Sequence, residues 1–126
     1  MIRNNKWSIF SALVILYLSL ASADALNRIP VIHFKGMDKL VHFCMYAFFM
    51  GVLLFENRKR IKSKSDILKI SLVPLFFGAL LEILQSCLTT TRTGSIADLL
   101  FNIAGILFSI IVFLLLRKNA APELIR

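Results

Sequence analysis

Four long apolar runs divide this chain and restrict what it can fold into. They are Trp7 to Ala25, Asp38 to Glu56, Ile70 to Leu88 and Ser95 to Leu116, and each is long enough to cross a membrane as a helix. A hydrophobic content of 58% and a mean hydropathy of +0.78 are too high for an ordinary soluble domain. The sequence therefore predicts an all-α, single-domain antiparallel bundle of four transmembrane helices, at about residues 7–25, 38–56, 68–88 and 95–117.

The first apolar run has a second interpretation. Arg3 and Lys6 precede it, and Ala21-Ser22-Ala23 near its end has the small residues of a signal-peptide cleavage site. A cleaved secretory signal is therefore an alternative. We favour a retained first transmembrane helix.

The basic residues predict the orientation in the membrane. The net charge is +8, and six basic residues lie between Asn57 and Lys69 with Asp66 as the one acid among them. Cytoplasmic loops carry such an excess of Lys and Arg, so this loop and both termini are expected in the cytoplasm of a bacterial cell. The loop also suits contact with anionic inner-leaflet lipids at Arg58 to Lys64, although orientation alone explains it. Basic clusters beside membrane spans do not indicate nucleic-acid binding.

Polar residues recur at one level inside the apolar runs. At a rise of 1.5 Å per residue, Glu82 lies roughly 9 Å inward from Leu88, and Asn102 lies about 10 Å inward from Ser95. A charged group at the centre of a bilayer costs on the order of 3 kcal/mol, so a set this large exceeds what helix packing needs. The candidate ligand-binding residues are Asp38, Lys39, His42, Glu82, Gln85, Arg92, Asp98 and Asn102.

Several of these residues also have a structural explanation. Ser95 to Asp98 has the spacing of a helix-capping box, Glu82 and Arg92 suit an ion pair, and Asn102 suits an interhelical hydrogen bond. One histidine beside carboxylates is too little to predict a metal site, so no metal or cofactor is expected. Cys44 and Cys87 have neither metal-site nor disulfide spacing, and are expected to be small buried residues.

Small and polar residues follow one stripe of the fourth run. Asp98, Asn102, Gly105 and Ser109 recur at intervals of four, three and four residues, which places them on one helix face. This stripe should face protein, while the remaining Leu, Ile, Phe and Val residues face lipid. Gly78 in the third run should allow a neighbouring helix to approach closely.

Three motifs carry a resemblance to a known family. They are Asp38-Lys39-x-x-His42-x-x-x-Tyr46, Gly78-x-x-x-Glu82-x-x-Gln85 and Arg92-x-x-Ser95-x-x-Asp98-x-x-x-Asn102-x-x-Gly105. Their order, spacing and polar identity resemble the VanZ-like family of small membrane proteins, from about Leu16 to Phe113. Two positions depart from the pattern. The turn at Leu88 to Thr91 lacks the proline often found before the arginine, and Ser109 stands where glycine is common.

The resemblance implies a role at the cell envelope. The family is named for a protein linked to resistance to teicoplanin, a glycopeptide antibiotic that acts on cell-wall precursors outside the membrane. The resemblance therefore suggests an effect on teicoplanin susceptibility, while the depth and charge of the polar residues lead us to expect a membrane lipid or lipid-linked cell-wall precursor as partner.

The sequence is compatible with three functions. The first is binding of an anionic lipid headgroup in the outer leaflet, with Arg92 and Lys39 meeting phosphate. The second is an enzyme whose catalytic candidates Glu82, Asp98 and His42 perform acid–base chemistry on a lipid-linked phosphate or sugar. The third is a small proton-coupled transporter component, since acids inside a membrane are typical of proton relays.

Overall fold

Four helices form the fold in the computed structural model, which describes residues 5–20, 37–88 and 96–120. They are α1 (Lys6–Leu20), α2 (Met37–Asn57), α3 (Lys64–Leu88) and α4 (Ile96–Ala120). The described residues contain no strand, which confirms the all-α prediction. By length and composition, α2, α3 and α4 are suited to cross a membrane, whereas α1 is apolar but has only 15 residues. The suggested cleavage site at Ala21 to Ala23 lies outside the described residues.

Helices that follow one another in the chain run in opposite directions and define two ends of the bundle, so α2 and α4 run parallel to each other. At the end called here the His42 end, α2 and α4 begin and α3 finishes; at the opposite end, the Lys62 end, α1 and α3 begin and α2 and α4 finish. Two contacts align α1 with the other helices. The Asn57 side-chain nitrogen donates to Asn5 Oδ1 (3.1 Å) at the Lys62 end, and Gln85 Nε2 donates to the Ser19 carbonyl (2.7 Å) at the other.

Helices α2 and α4 pack most closely, because α4 presents small residues to the backbone of α2. A Cβ atom on Gly105 would overlap the Phe43 carbonyl oxygen and lie 2.9 Å from the Ala47 nitrogen. One turn further along, the Ser109 hydroxyl donates to the Ala47 carbonyl. All four residues of the predicted stripe are buried, and large apolar side chains such as Leu107 and Phe108 are exposed on other faces. The predicted stripe is therefore confirmed.

Helix α3 begins four residues earlier than predicted, and hydrogen bonds at its first turn explain the difference. Ser63 Oγ accepts from the Asp66 N–H (3.3 Å), and Asp66 Oδ2 accepts from the N–H groups of Lys62 and Ser63 (2.9 Å each). This reciprocal cap satisfies N–H groups that have no partner inside the helix. It lies in the charged segment before the apolar run, where hydropathy alone does not mark a helix start.

The exposure of the two cysteines differs from the prediction. Cys44 and Cys87 are free thiols exposed on the bundle surface, not buried small residues. The tendency of cysteine to be buried comes from proteins whose surface faces water. The surface of this bundle is largely apolar, with exposed side chains such as Phe48, Phe76 and Leu80, so a thiol there is not driven into the interior.

Candidate functional site

Near the His42 end, a buried histidine and a buried amide join α2 to α4. His42 Nδ1 lies 3.0 Å from Asn102 Oδ1, and the two residues are 3% and 1% exposed. An amide oxygen only accepts, so this contact is a hydrogen bond in the tautomer that carries its proton on Nδ1, and that tautomer leaves the lone pair on Nε2. The histidine is thus oriented by a residue of another helix.

Two acids from the other helices complete this group. Glu82 Oε1 on α3 lies 3.9 Å from His42 Nδ1, and the Glu82 side chain is 11% exposed. Asp98, in the first turn of α4, is 8% exposed. One ligand atom from each of His42, Glu82 and Asp98 lies within 4.8 Å of the other two. We call these three residues and Asn102 the His42 cluster.

A tyrosine and a glycine lie against the cluster. A Cβ atom on Gly78 would lie 3.1 Å from Tyr46 Cε1 and 3.2 Å from Asn102 Nδ2. The missing side chain therefore makes room for the Tyr46 ring and the Asn102 amide at this level of α3. Asn102 Nδ2 is buried and has no hydrogen-bond partner among the described residues. The buried amide thus keeps the two N–H donors of Nδ2 for a further group.

The other predicted site residues have different positions. Gln85 is buried, but its amide nitrogen donates to Ser19 of α1. Lys39 is half-buried and precedes His42 by three residues on α2. The Asp38 side chain, Arg92 and Ser95, with their suggested pairing and capping roles, lie outside the described side chains.

Helix length sets the depth of the cluster. His42 lies about 8 Å from the start of α2, and Asn102 and Glu82 each lie about 9 Å from the nearer end of their helices, at 1.5 Å per residue. The polar groups therefore lie at a similar level, roughly one and a half turns inside the bundle. At this depth, water is restricted and the interaction between charges is stronger than at the surface.

Polar contacts of α1 were not predicted from the sequence. Its buried residues are Ser8, Ser11, Ile15 and Ser19. Their spacing of three, four and four residues is that of one helix face, and it marks the side of α1 that packs against protein. Glu56 at the end of α2 accepts from the N–H groups of Trp7 (2.9 Å) and Ser8 (3.0 Å). A serine stripe of this kind is the signal that would have identified the buried face.

A bundle of apolar helices with lipid-facing side chains and a polar cluster buried near one end defines a class, the integral membrane proteins of helical type. The model of the VanZ/LLP1 family matches residues 3–117, which is most of the chain, and the chain belongs to that family. The match confirms the resemblance carried by the three motifs. Searches of curated proteins and of solved structures found no match.

Proposed function

We propose that this protein binds an anionic lipid headgroup, or a lipid-linked cell-wall precursor, at the His42 end. The observation that supports this most is the His42 cluster itself, four polar side chains from three apolar helices that lie close together near one end of the bundle. Burying such groups in lipid costs several kcal/mol unless they have partners, and they are commonly functional. The cluster lies towards the end of the bundle at which Lys39 lies, and Arg92 belongs to the stretch of chain that connects α3 to α4.

Charge and hydrogen-bonding capacity define the class of ligand. Lys39 and Arg92 supply cationic groups for a phosphate, and arginine suits two phosphate oxygens at once. The amide donor of Asn102 and the carboxylates supply partners for hydroxyl and amide groups. A phosphorylated sugar or peptide attached to a lipid tail combines these groups.

The orientation that goes with this proposal places the His42 end in the outer leaflet of the bacterial cytoplasmic membrane. Arg58, Lys59, Arg60 and Lys62 are exposed at the opposite end. Such a basic loop favours the cytoplasmic side, where both termini would also lie. Anionic inner-leaflet lipids would contact Arg58 to Lys64 there.

Lipid retention during purification tests the proposal. The purified full-length chain would be offered phosphatidylglycerol and a polyprenyl phosphate, and bound lipid measured by native mass spectrometry. We expect Arg92→Ala and Lys39→Ala to reduce retention, whereas Arg117→Ala, a cation at the opposite end, retains as much as the wild type. Equal retention by Arg92→Ala, Lys39→Ala and the wild type would contradict the proposal. Teicoplanin susceptibility of cells with and without the chain gives a second readout.

One contact favours a second candidate, an enzyme. At 3.9 Å, His42 and Glu82 are close enough for both to hydrogen-bond one substrate group that lies beside them. Glu82 or Asp98 would act as base and His42 as acid on a lipid-linked phosphate or sugar. Turnover of such a lipid, lost in Glu82→Gln, would support this function over simple binding.

The third candidate, a proton-coupled transporter, has less support from the arrangement of polar groups. Towards the Lys62 end, α3 and α4 form a groove of about 350 Å³ whose lining is mainly apolar, with Lys64 and Ser71 as its polar members. A proton path needs polar groups or water along its length, and this groove offers a mainly apolar lining instead. Proton flux across liposomes containing the chain would restore this candidate.

A further inference from the structure

Three side chains of the His42 cluster belong to the residue types that bind transition metals. We propose that His42, Glu82 and Asp98 together bind one divalent first-row cation such as Zn²⁺, and that this cation meets the anionic group of the lipid. Binding of the cation is inferred from the geometry of the cluster alone. Contact between the cation and the lipid rests on the function proposed above.

The distances suit a single ion. One donor atom from each of the three residues lies within 4.8 Å of the others. Zinc binds imidazole nitrogen and carboxylate oxygen at about 2.0–2.2 Å, so donor atoms on one zinc ion are roughly 3–4 Å apart. The donor atoms therefore need to approach one another by no more than roughly 1–2 Å to bind one ion. Each residue comes from a different helix, so the ion would also link α2, α3 and α4.

The donor set indicates which cations fit. One imidazole and two carboxylates resemble the three-ligand sites of catalytic zinc, which leave a coordination position for water or substrate. Ligand sets that are rich in oxygen and lack sulfur also bind Mn²⁺. Because this set contains no thiolate, we expect no preference for Cu⁺. Neither Cys44 nor Cys87 belongs to the group of residues that the structure brings together here.

Charge explains why a cation belongs with an anionic ligand. Negative charge on the carboxylates of Glu82 and Asp98 would repel a phosphate in a medium of low dielectric constant. A divalent cation would offset that charge and present a positive ion to the phosphate oxygens. Lipid binding at this depth and two acids at the same depth are therefore compatible when a cation lies between them.

Asn102 provides a second observation that points to a ligand. Its side chain is 1% exposed, its oxygen contacts His42 Nδ1, and its nitrogen has no hydrogen-bond partner among the described residues. Residues that hydrogen-bond a metal-binding histidine fix its orientation, and their loss weakens metal binding. The N–H donors of Asn102 Nδ2 suit an oxygen of a bound anion or of a cation-bound water.

Zinc binding without lipid tests the cation site. The probe is Zn²⁺ titrated into the full-length chain in detergent after removal of any affinity tag and treatment with a chelator. We expect one zinc ion per chain and at least about tenfold weaker binding in Glu82→Gln and Asp98→Asn. Glu56→Gln and Asp66→Asn are matched controls, because these acids lie at the Lys62 end, and both should bind zinc like the wild type. Absence of stoichiometric zinc from the wild type, or equal binding by Glu82→Gln and Asp98→Asn, would overturn the site.

A second measurement distinguishes loss of the cation site from loss of the fold. Co²⁺ bound to the wild-type chain should give visible absorption bands, and Asn102→Ala, which removes the partner of His42, should shift them while helicity is unchanged. Bands that are identical in the wild type and Asn102→Ala would count against a cation on His42.

The lipid experiment separates the two proposals. Retention of the polyprenyl phosphate should fall at least about tenfold when EDTA is present, if the cation contributes as a ligand of the phosphate. Zinc binding without any lipid retention would sustain the cation site and overturn the lipid function. Lipid retention that is unchanged by EDTA, in a chain that binds no zinc, would overturn the cation site and leave the lipid function intact.

Discussion

The two ends of the bundle use similar residues in different ways. At the Lys62 end, Glu56 accepts hydrogen bonds from N–H groups in the first turn of α1, and Asp66 accepts from the N–H groups of the two residues just before α3. These acids complete helix ends, a common structural role. At the His42 end, His42 and Asn102 join side chains of two helices inside the bundle, with Glu82 beside them. Helix capping accounts for Glu56 and Asp66 at the Lys62 end. It does not account for Glu82 at the His42 end.

This difference shows how to separate structural acids from functional ones in a membrane bundle. An acid that accepts from backbone N–H groups at a helix start stabilises the chain and needs no ligand. An acid that faces a histidine of another helix, away from the helix ends, has desolvation to overcome and little backbone to bind. The proposals of lipid and cation binding therefore concern the His42 end.

The largest effect is expected where α4 lies against α2, because this contact holds Asn102 next to His42. Gly105→Ala places a Cβ in overlap with the Phe43 carbonyl, and backbone cannot move aside as a flexible side chain can. We expect a loss of about 3 kcal/mol, measured as the free energy of unfolding in a detergent titration. Gly51→Ala is the control, since its Cβ would lie 3.7 Å from Ser109 Oγ, an ordinary contact. Equal stability of the two variants would show that the helices are not so close.

The second effect is on the buried pair itself. His42→Ala or Asn102→Ala leaves a buried polar partner unsatisfied, which costs about 2 kcal/mol in each single variant. The double variant should cost less than the sum by about 1 kcal/mol, near the upper range for hydrogen bonds between membrane helices. Additive losses in this double-mutant cycle would mean that the two side chains do not interact, and would remove the contrast between the two ends.

The sequence predicted the helices and the depth of the site, and hydropathy and helix rise are sufficient for both. It did not predict which polar side chains touch, because contact depends on how each helix is rotated about its axis. Glu82 and Gln85 are three residues apart and share a face, yet they differ by about 60° around the helix. That offset is enough for Glu82 to approach His42 of α2 and for Gln85 to bond to Ser19 of α1.

The rotation of α4 was more predictable than that of α3. The stripe that contains Asn102, Gly105 and Ser109 consists of small or polar residues in an otherwise large apolar helix, so only one face suits close packing. On α3, Gly78 and Glu82 mark one face of the helix, whereas Gln85 is a polar residue on the adjacent face. A helix that packs against two partners carries two such faces, and spacing alone does not say which residue belongs to which partner.

The third prediction concerns the Lys62 end. Glu56→Ala removes the acceptor for the Trp7 and Ser8 N–H groups and for the Ser8 hydroxyl, so we expect a loss of about 1 kcal/mol, the usual effect of a helix cap. Unfolding in detergent measures the loss. Retention of the polyprenyl phosphate and the affinity for zinc should stay at wild-type values. A fall in lipid retention or in zinc affinity would mean that Glu56 affects the His42 end, and would contradict a purely structural role.

The smallest effect is expected at the start of α3, where the cap is exposed. Ser63→Ala removes the hydroxyl that accepts from the Asp66 N–H, but Asp66 keeps its bonds to the N–H groups of Lys62 and Ser63. The first turn of α3 should therefore open more often without loss of the fold, and hydrogen exchange at residues 64–66 would detect this. Ser65→Ala is the matched control in the same turn. Faster exchange in Ser63→Ala alone would assign the early start of α3 to its cap, whereas equal rates in both variants would assign it to packing of the buried Ile67.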